Sequence, residues 1–200
     1  MRGDFTPFDQ RGALEIHRRR LPHWEQSQAT YFVTFRLADA LPASVVQMLD
    51  ERRRLGALSE IEDWEWLDSY LDAGSGTGLL ARPSCAQIVE GTLRHFDGVR
   101  HHLSDFVVMP NHVHSLVQPI GPYDLGSIVH SWKSFSAHRM QRDGHATGTL
   151  WQSESFDRLV RGTTELRRFQ QYIHDNPSKA GLQEGRYLLG KGKTEWTTDE

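Results

Sequence analysis

The stretch Val107-Val108-Met109-Pro110-Asn111-His112-Val113-His114-Ser115-Leu116-Val117 constrains this chain more than any other. Two apolar runs flank a Pro-Asn pair, the pattern of two extended segments joined by a tight turn. In a strand, side chains two apart share a face, so His112 and His114 point the same way and can act as a pair of metal ligands. Near the other end, Tyr172-Ile173-His174-Asp175-Asn176-Pro177 reads as helix. There Tyr172 and Asn176, four apart, share a helical face. A two-histidine metal pair with a helical tyrosine points to phosphoryl transfer through a tyrosine nucleophile.

The remaining sequence sets the frame for that pair. Two hundred residues, 38% of them hydrophobic and 24% charged, suffice for one domain with appendages and exclude a disordered tail. No apolar run approaches a membrane span, and Met1-Arg2-Gly3-Asp4 opens no signal peptide, so a cytoplasmic protein is expected. One cysteine, Cys85, excludes an intrachain disulfide and a cysteine-based zinc site. A net charge of -3 argues against a uniformly basic nucleic-acid binder. Basic residues cluster instead at Arg18-Arg19-Arg20, at Arg52-Arg53-Arg54 and around Arg158, Arg161, Arg167 and Arg168, while acids concentrate over 60–72.

Pattern and punctuation divide the chain into a basic arm over 1–28, a catalytic domain over 29–182 and a tail over 183–200. The run 29–37, rich in β-branched and aromatic residues, predicts a first strand. Pro42 opens a helix over 43–55, a second covers 61–71, and a third covers 83–96. Between the last two, the glycine-rich segment of about 73–82 lacks the Gly-Lys-Ser/Thr ending of a phosphate loop and reads as flexible linker. Strands near 102–109 and 112–118, a helix over 124–141, a strand over 155–160 and a last helix capped by Thr163 or Thr164 complete the order. Pro177 is expected to end or kink that helix. The order is that of a ferredoxin-like split βαβ: an α+β fold, a four-stranded antiparallel sheet packed with helices. In it the two middle strands need not be hairpin neighbours.

The chemistry follows from the residue types. A tyrosine hydroxyl, with a reference pKa near 10, is a poor nucleophile at neutral pH without a nearby positive charge. A divalent cation on the phosphate would withdraw charge from phosphorus and stabilise the transition state. His112 and His114 offer two nitrogen ligands, and Asn176 an amide oxygen as third ligand. Such a mixed set suits Mg²⁺ or Mn²⁺.

Two motifs carry a family resemblance. Met109-Pro110-Asn111-His112-Val113-His114 and the run from Tyr172 through Pro177 to Leu182 resemble the HUH and tyrosine motifs of the REP-associated tyrosine transposases, which belong with the single-tyrosine HUH transposases. The similarity extends to Leu21-Pro22-His23-Trp24, Leu93-Arg94-His95-Phe96-Asp97, Trp132-Lys133-Ser134 and the segment from Trp151 to Arg158. It implies a ferredoxin-like enzyme that cuts and rejoins single-stranded DNA beside imperfect hairpins, leaving a 5′-phosphotyrosine intermediate and a free 3′-OH. Many related insertion-sequence enzymes carry glutamine where Asn176 stands, whereas the REP-associated branch carries asparagine.

Binding a DNA hairpin calls for cations at phosphates and aromatic planes at unpaired bases. The candidates are Arg36, Lys133, Trp151, Arg158, Arg161 and Lys179. Trp132 falls on a core stripe. A domesticated hairpin-binding protein without cleavage is the alternative, and the intact set His112, His114 and Tyr172 argues for retained chemistry. A His-x-His hydrolase is disfavoured because Ser115-Leu116-Val117 brings no further ligands. A monomer or homodimer is expected.

Overall fold

The computed structural model describes residues 5–9, 12, 15–18, 22–54, 60–194 and 196, with the side chains of 15–18, 22–25, 49–50, 52–54 and 60–65 left aside. The basic runs Arg18-Arg19-Arg20 and Arg52-Arg53-Arg54 therefore fall outside the described side chains. Among the described residues the elements run in the order β1 (Glu15–Arg18), β2 (Pro22–Glu25), β3 (Tyr31–Arg36), α1 (Ala43–Arg54), α2 (Glu60–Asp72), a 3-10 turn (Leu79–Ala81), α3 (Pro83–Arg94), β4 (His101–Val108), β5 (His112–Pro119), α4 (Leu125–Arg142), β6 (Phe156–Leu159), α5 (Thr163–Lys179) and β7 (Leu188–Lys191). No described helix is long and apolar enough to cross a membrane.

The sheet order is β6-β3-β5-β4-β7, every pairing antiparallel. Its first four strands are the ferredoxin-like arrangement, and β4 and β5 are hairpin neighbours after all. The expected four strands become five because β7, in the supposed tail, adds to the free edge of β4. The supposed N-terminal arm also pairs with itself, β1 against β2.

Helices cover both faces. Tyr31, Val33 and Phe35 of β3 and Val113 and Val117 of β5 join α3 and α4 in the larger core. The alternate residues, Phe32 and Leu116, pack against Leu166, Phe169 and Ile173 of α5. Strand periodicity thus turns His112 and His114 toward α5. In β4 a bulge shifts the register between Leu103 and Phe106. Both of those residues consequently face the α3–α4 core, while Asp105 reaches α5, accepting from Gln170 Nε2 and His174 Nε2, each at 3.0 Å.

Two expectations about α5 need correction. Gly162, not a threonine, is its N-cap residue, and no side-chain oxygen caps it. Glu165 instead accepts from the backbone N–H of Arg161 at 2.7 Å. Pro177 does not end the helix, whose structure continues to Lys179. Asn176 therefore stays on the helical face of Tyr172.

The glycine-rich segment is tied to the body of the protein. Thr77 N–H donates to Asp39 Oδ2 at 2.8 Å, and Gly76, at φ +90°, lies where a Cβ would meet the Asp39 carbonyl oxygen at 2.5 Å. Glycine is required at Gly76 by both conformation and proximity.

Candidate active site

Strand pairing builds the floor. Thr34 stands opposite His114 and Arg36 opposite His112 in the β3–β5 ladder. Directly opposed residues share a face, so Thr34 Oγ1 meets His114 Nδ1 at 2.8 Å. Phe32, two residues earlier, stacks on Phe169 with ring centroids 4.3 Å apart and lies edge-on to Tyr172 at 5.9 Å. The tyrosine is thereby held over the histidines, its ring centroid 5.4 Å from that of His114.

The turn sets the other imidazole. Asn111 is buried, and its Nδ2 donates to the carbonyls of Leu71 at 3.0 Å and Ser75 at 3.1 Å. Those contacts fix its Oδ1 as the acceptor for His112 Nδ1–H at 2.7 Å. With the proton on Nδ1, His112 Nε2 presents a lone pair. His114 Nδ1 is likewise engaged by Thr34, and the two Nε2 atoms face each other at 2.9 Å. Burial holds both imidazoles neutral, His112 well below its usual pKa with His114 adding to the effect, and His114 at about 3. With Thr34 donating to His114 Nδ1, the proton on His114 Nε2 bonds the His112 lone pair, and a cation can take that proton's place. Two nitrogens at about 2.1 Å from one cation, at a right angle, are about 3 Å apart, which fits.

Helix α2 brings carboxylates that the motifs did not include. Asp68 is 6% exposed, and its Oδ1 lies 3.3 Å from His114 Nε2. With His114 neutral this contact is not an ion pair. Asp68 Oδ2 accepts from the Tyr172 hydroxyl. His112, His114 and Asp68 each offer a ligand atom within 4.8 Å of the others'. Burial pushes the Asp68 carboxyl up to about 6. Burial first, then the charge of Asp68, pushes Asp72 to about 7, with the Asn176 amide opposing. Asp68 Oδ1 and Asn176 Oδ1 are both buried without a hydrogen-bond partner. Unpartnered oxygens beside two imidazole Nε2 atoms form a donor set that fits a divalent cation. Asn176 Nδ2, meanwhile, donates to the Tyr172 hydroxyl at 2.9 Å.

The tyrosine opens onto a cleft of about 400 Å³ lined by Asp68, Arg168, Phe169, Gln171, Tyr172, Asp175 and Lys179. Arg168, Tyr172, Asp175 and Lys179 follow helical spacing along one face of α5. Lys179 is exposed, with Nζ 4.9 Å from the Tyr172 ring centroid.

The residues expected at DNA separate into two groups. Lys179 borders the cleft, and Arg161 is exposed at the start of α5. The others are engaged within the protein. Trp151 is a core residue: 6% exposed, it donates from Nε1 to Ser136 Oγ at 3.0 Å and meets Phe35 edge-on, so its ring offers no platform for a base. Lys133 donates to the carbonyls of Gln152 and Ser153 at 2.9 and 3.0 Å, and burial lowers its pKa to about 8. Arg158 is held by Glu165 at 2.5 Å, and Arg36 is buried opposite His112. Trp132 packs in the core as its stripe requires.

Sequence reading passed over Asp68, Asp72 and Asn111. The i, i+4 spacing of the two aspartates on an acidic helix was a visible signal. Nothing local says that α2 folds over β5.

These features define a class: an α+β fold with paired histidines on a central strand and a tyrosine above them on a helix. Residues 82–176 match the family described as Transposase IS200 like. The chain resembles the REP-associated tyrosine transposases. A solved REP-associated tyrosine transposase bound to a REP hairpin covers 84% of this chain, and 75% of that chain is matched, at 16% identity and a TM-score of 0.52. A structure from Deinococcus radiodurans assigned as a transposase covers 76% of this chain and is itself 93% matched, at 18% identity, with a TM-score of 0.33 that is too low to speak for the fold. No curated protein matches.

Proposed function

We propose that this protein is a metal-dependent single-stranded DNA endonuclease and strand transferase acting beside hairpin DNA. The observation that carries the reading is the meeting of three separate elements. The Tyr172 hydroxyl of α5, the facing Nε2 atoms of β5 and the Asp68 carboxylate of α2 converge on one spot.

His112 and His114 would hold Mg²⁺ or Mn²⁺, with Asn176 or Asp68 beside them, and the cation would supply positive charge at a phosphate oxygen. Phe32 and Asn176 orient the tyrosine ring and hydroxyl. The tyrosine passes its proton to Asp68 Oδ2 as its oxygen attacks phosphorus, the bond from phosphorus to the 3′ oxygen breaks, and that oxygen takes up a proton to leave as a 3′-OH. The products are a 5′-phosphotyrosine and a free 3′ end, and reversal onto another 3′-OH rejoins DNA. Lys179, Arg168 and Arg161 line the approach of the phosphate backbone.

The test is to incubate the protein with single-stranded hairpin DNA and Mn²⁺ and look for a covalent adduct on a denaturing gel. An adduct that Tyr172→Phe abolishes is the expected result. Hairpin binding with no adduct from the parent protein would leave a DNA-binding protein without cleavage.

A further inference from the structure

We propose that Asp68, carried in by α2 from outside the two motifs, is the third metal ligand and ties the cation to the nucleophile. The inference rests on the reading of His112 and His114 as a metal pair. Its first support is geometric. One carboxylate faces both partners, with Oδ1 3.3 Å from His114 Nε2 and Oδ2 accepting from the Tyr172 hydroxyl. Asp68 is 6% exposed and its Oδ1 has no hydrogen-bond partner. A buried carboxylate oxygen left in that state beside two imidazole Nε2 atoms is placed to ligate a cation.

The second support is charge. Two neutral imidazoles and an amide would leave a dication uncompensated in a buried site. Asp68, as a carboxylate, supplies one negative charge at the ligands. Asn176 is the rival donor, since its Oδ1 is also unpartnered. Its Nδ2, however, already donates to the Tyr172 hydroxyl at 2.9 Å, which makes it a residue that positions the tyrosine. Third, α2 is anchored for the task. Asn111 grips the carbonyls of Leu71 and Ser75 with one end and His112 with the other, so the helix end and the imidazole are placed by a single side chain.

The experiment measures Mn²⁺ binding to the full-length, DNA-free protein by titration calorimetry, with circular dichroism as a check on folding. Four proteins are compared: the parent, Asp68→Asn, Asn176→Ala and His112→Ala. Asp68→Asn keeps size and shape, and Asp68→Ser serves should it fold poorly. The expected outcome is a loss of affinity of roughly tenfold or more in the Asp68 variants, less than about threefold in Asn176→Ala, and no measurable binding in His112→Ala. Affinity in Asp68→Asn within about threefold of the parent overturns the inference while the histidine site stands. Undiminished binding in His112→Ala overturns the metal reading itself.

Discussion

Replacing Asn111 with alanine should disturb stability and metal binding together, through three hydrogen bonds that end on one buried amide. The substitution removes the donor to the Leu71 and Ser75 carbonyls and the acceptor for His112 Nδ1–H. Asn111 is 1% exposed, so water does not replace these bonds freely. Each buried group left unsatisfied costs about 1–3 kcal/mol. Partial relaxation of three such groups gives about 3 kcal/mol, or a fall of roughly 6–12 °C in Tm for a chain of this length. Loss of the acceptor also frees the tautomer of His112, which should weaken Mn²⁺ binding roughly 10- to 100-fold. Asn111→Asp separates the two effects. Its carboxylate still accepts from His112 but cannot donate to the carbonyls, so stability should fall while Mn²⁺ affinity holds within about threefold. Thermal melts and Mn²⁺ titrations of both variants are the assay. Equal weakening of metal binding by Asp and Ala, or a Tm shift below about 2 °C for Ala, would refute the argument.

Further outcomes follow from the same site. Tyr172→Phe should abolish the covalent DNA adduct while changing hairpin affinity by less than about threefold, because only a hydroxyl is lost; an adduct in the Phe variant would mean another nucleophile. In the metal-free protein the carboxylates and the imidazoles of this site should pull stability in opposite directions as pH changes. Asp68, raised from 3.8 to about 6, contributes stability below pH 4 that is lost as pH rises through 6, about 3 kcal/mol in all. His112 and His114 run the other way: depressed from 6.5, they favour the fold above that pH and oppose it as pH falls. Asp68→Asn removes the opposing carboxyl, so in EDTA its Tm should rise more steeply than the parent's between about pH 4 and 6; an unchanged slope would contradict this. Trp151→Phe should cost about 1 kcal/mol for its buried N–H bond and leave DNA affinity unchanged; a large loss of binding would return the indole to the DNA surface.

Legibility followed range. The histidine pair, the tyrosine and the first strand could be read because each depends on spacing within one element: two along β5, four along α5, and the β-branched and aromatic run of β3. The bulge in β4 was invisible, since it shows only when Leu103 and Phe106 both reach the α3–α4 core. Strand β7 was missed because Leu188-Leu189-Gly190-Lys191 lacks strand composition. Its glycine is there because a Cβ would meet the Phe106 ring at 2.2 Å, a constraint imposed from another strand. Trp151 and Lys133 were misjudged for the complementary reason. An aromatic or a lysine near a motif looks available until the fold shows Ser136 and three loop carbonyls already engaging them. Asp68 reaches the site across 44 residues of chain from His112, a distance over which periodicity says nothing.

The grip of Asp105 on Gln170 and His174 gives α5 a rotational stop. Those two residues lie on one flank of the helix, and Tyr172 and Asn176 on the other, with Phe169 and Ile173 seated on the sheet between them. A helix resting on an apolar stripe alone can roll, since such contact has little direction. With a tyrosine oxygen at least about 5 Å from the helix axis, a roll of about 20° would carry it roughly 2 Å sideways. Misplacement of about 1 Å is enough to cost on the order of a hundredfold in rate. The extra residue in β4, which turns Asp105 toward α5, therefore sets the aim of a side chain on the far side of the helix.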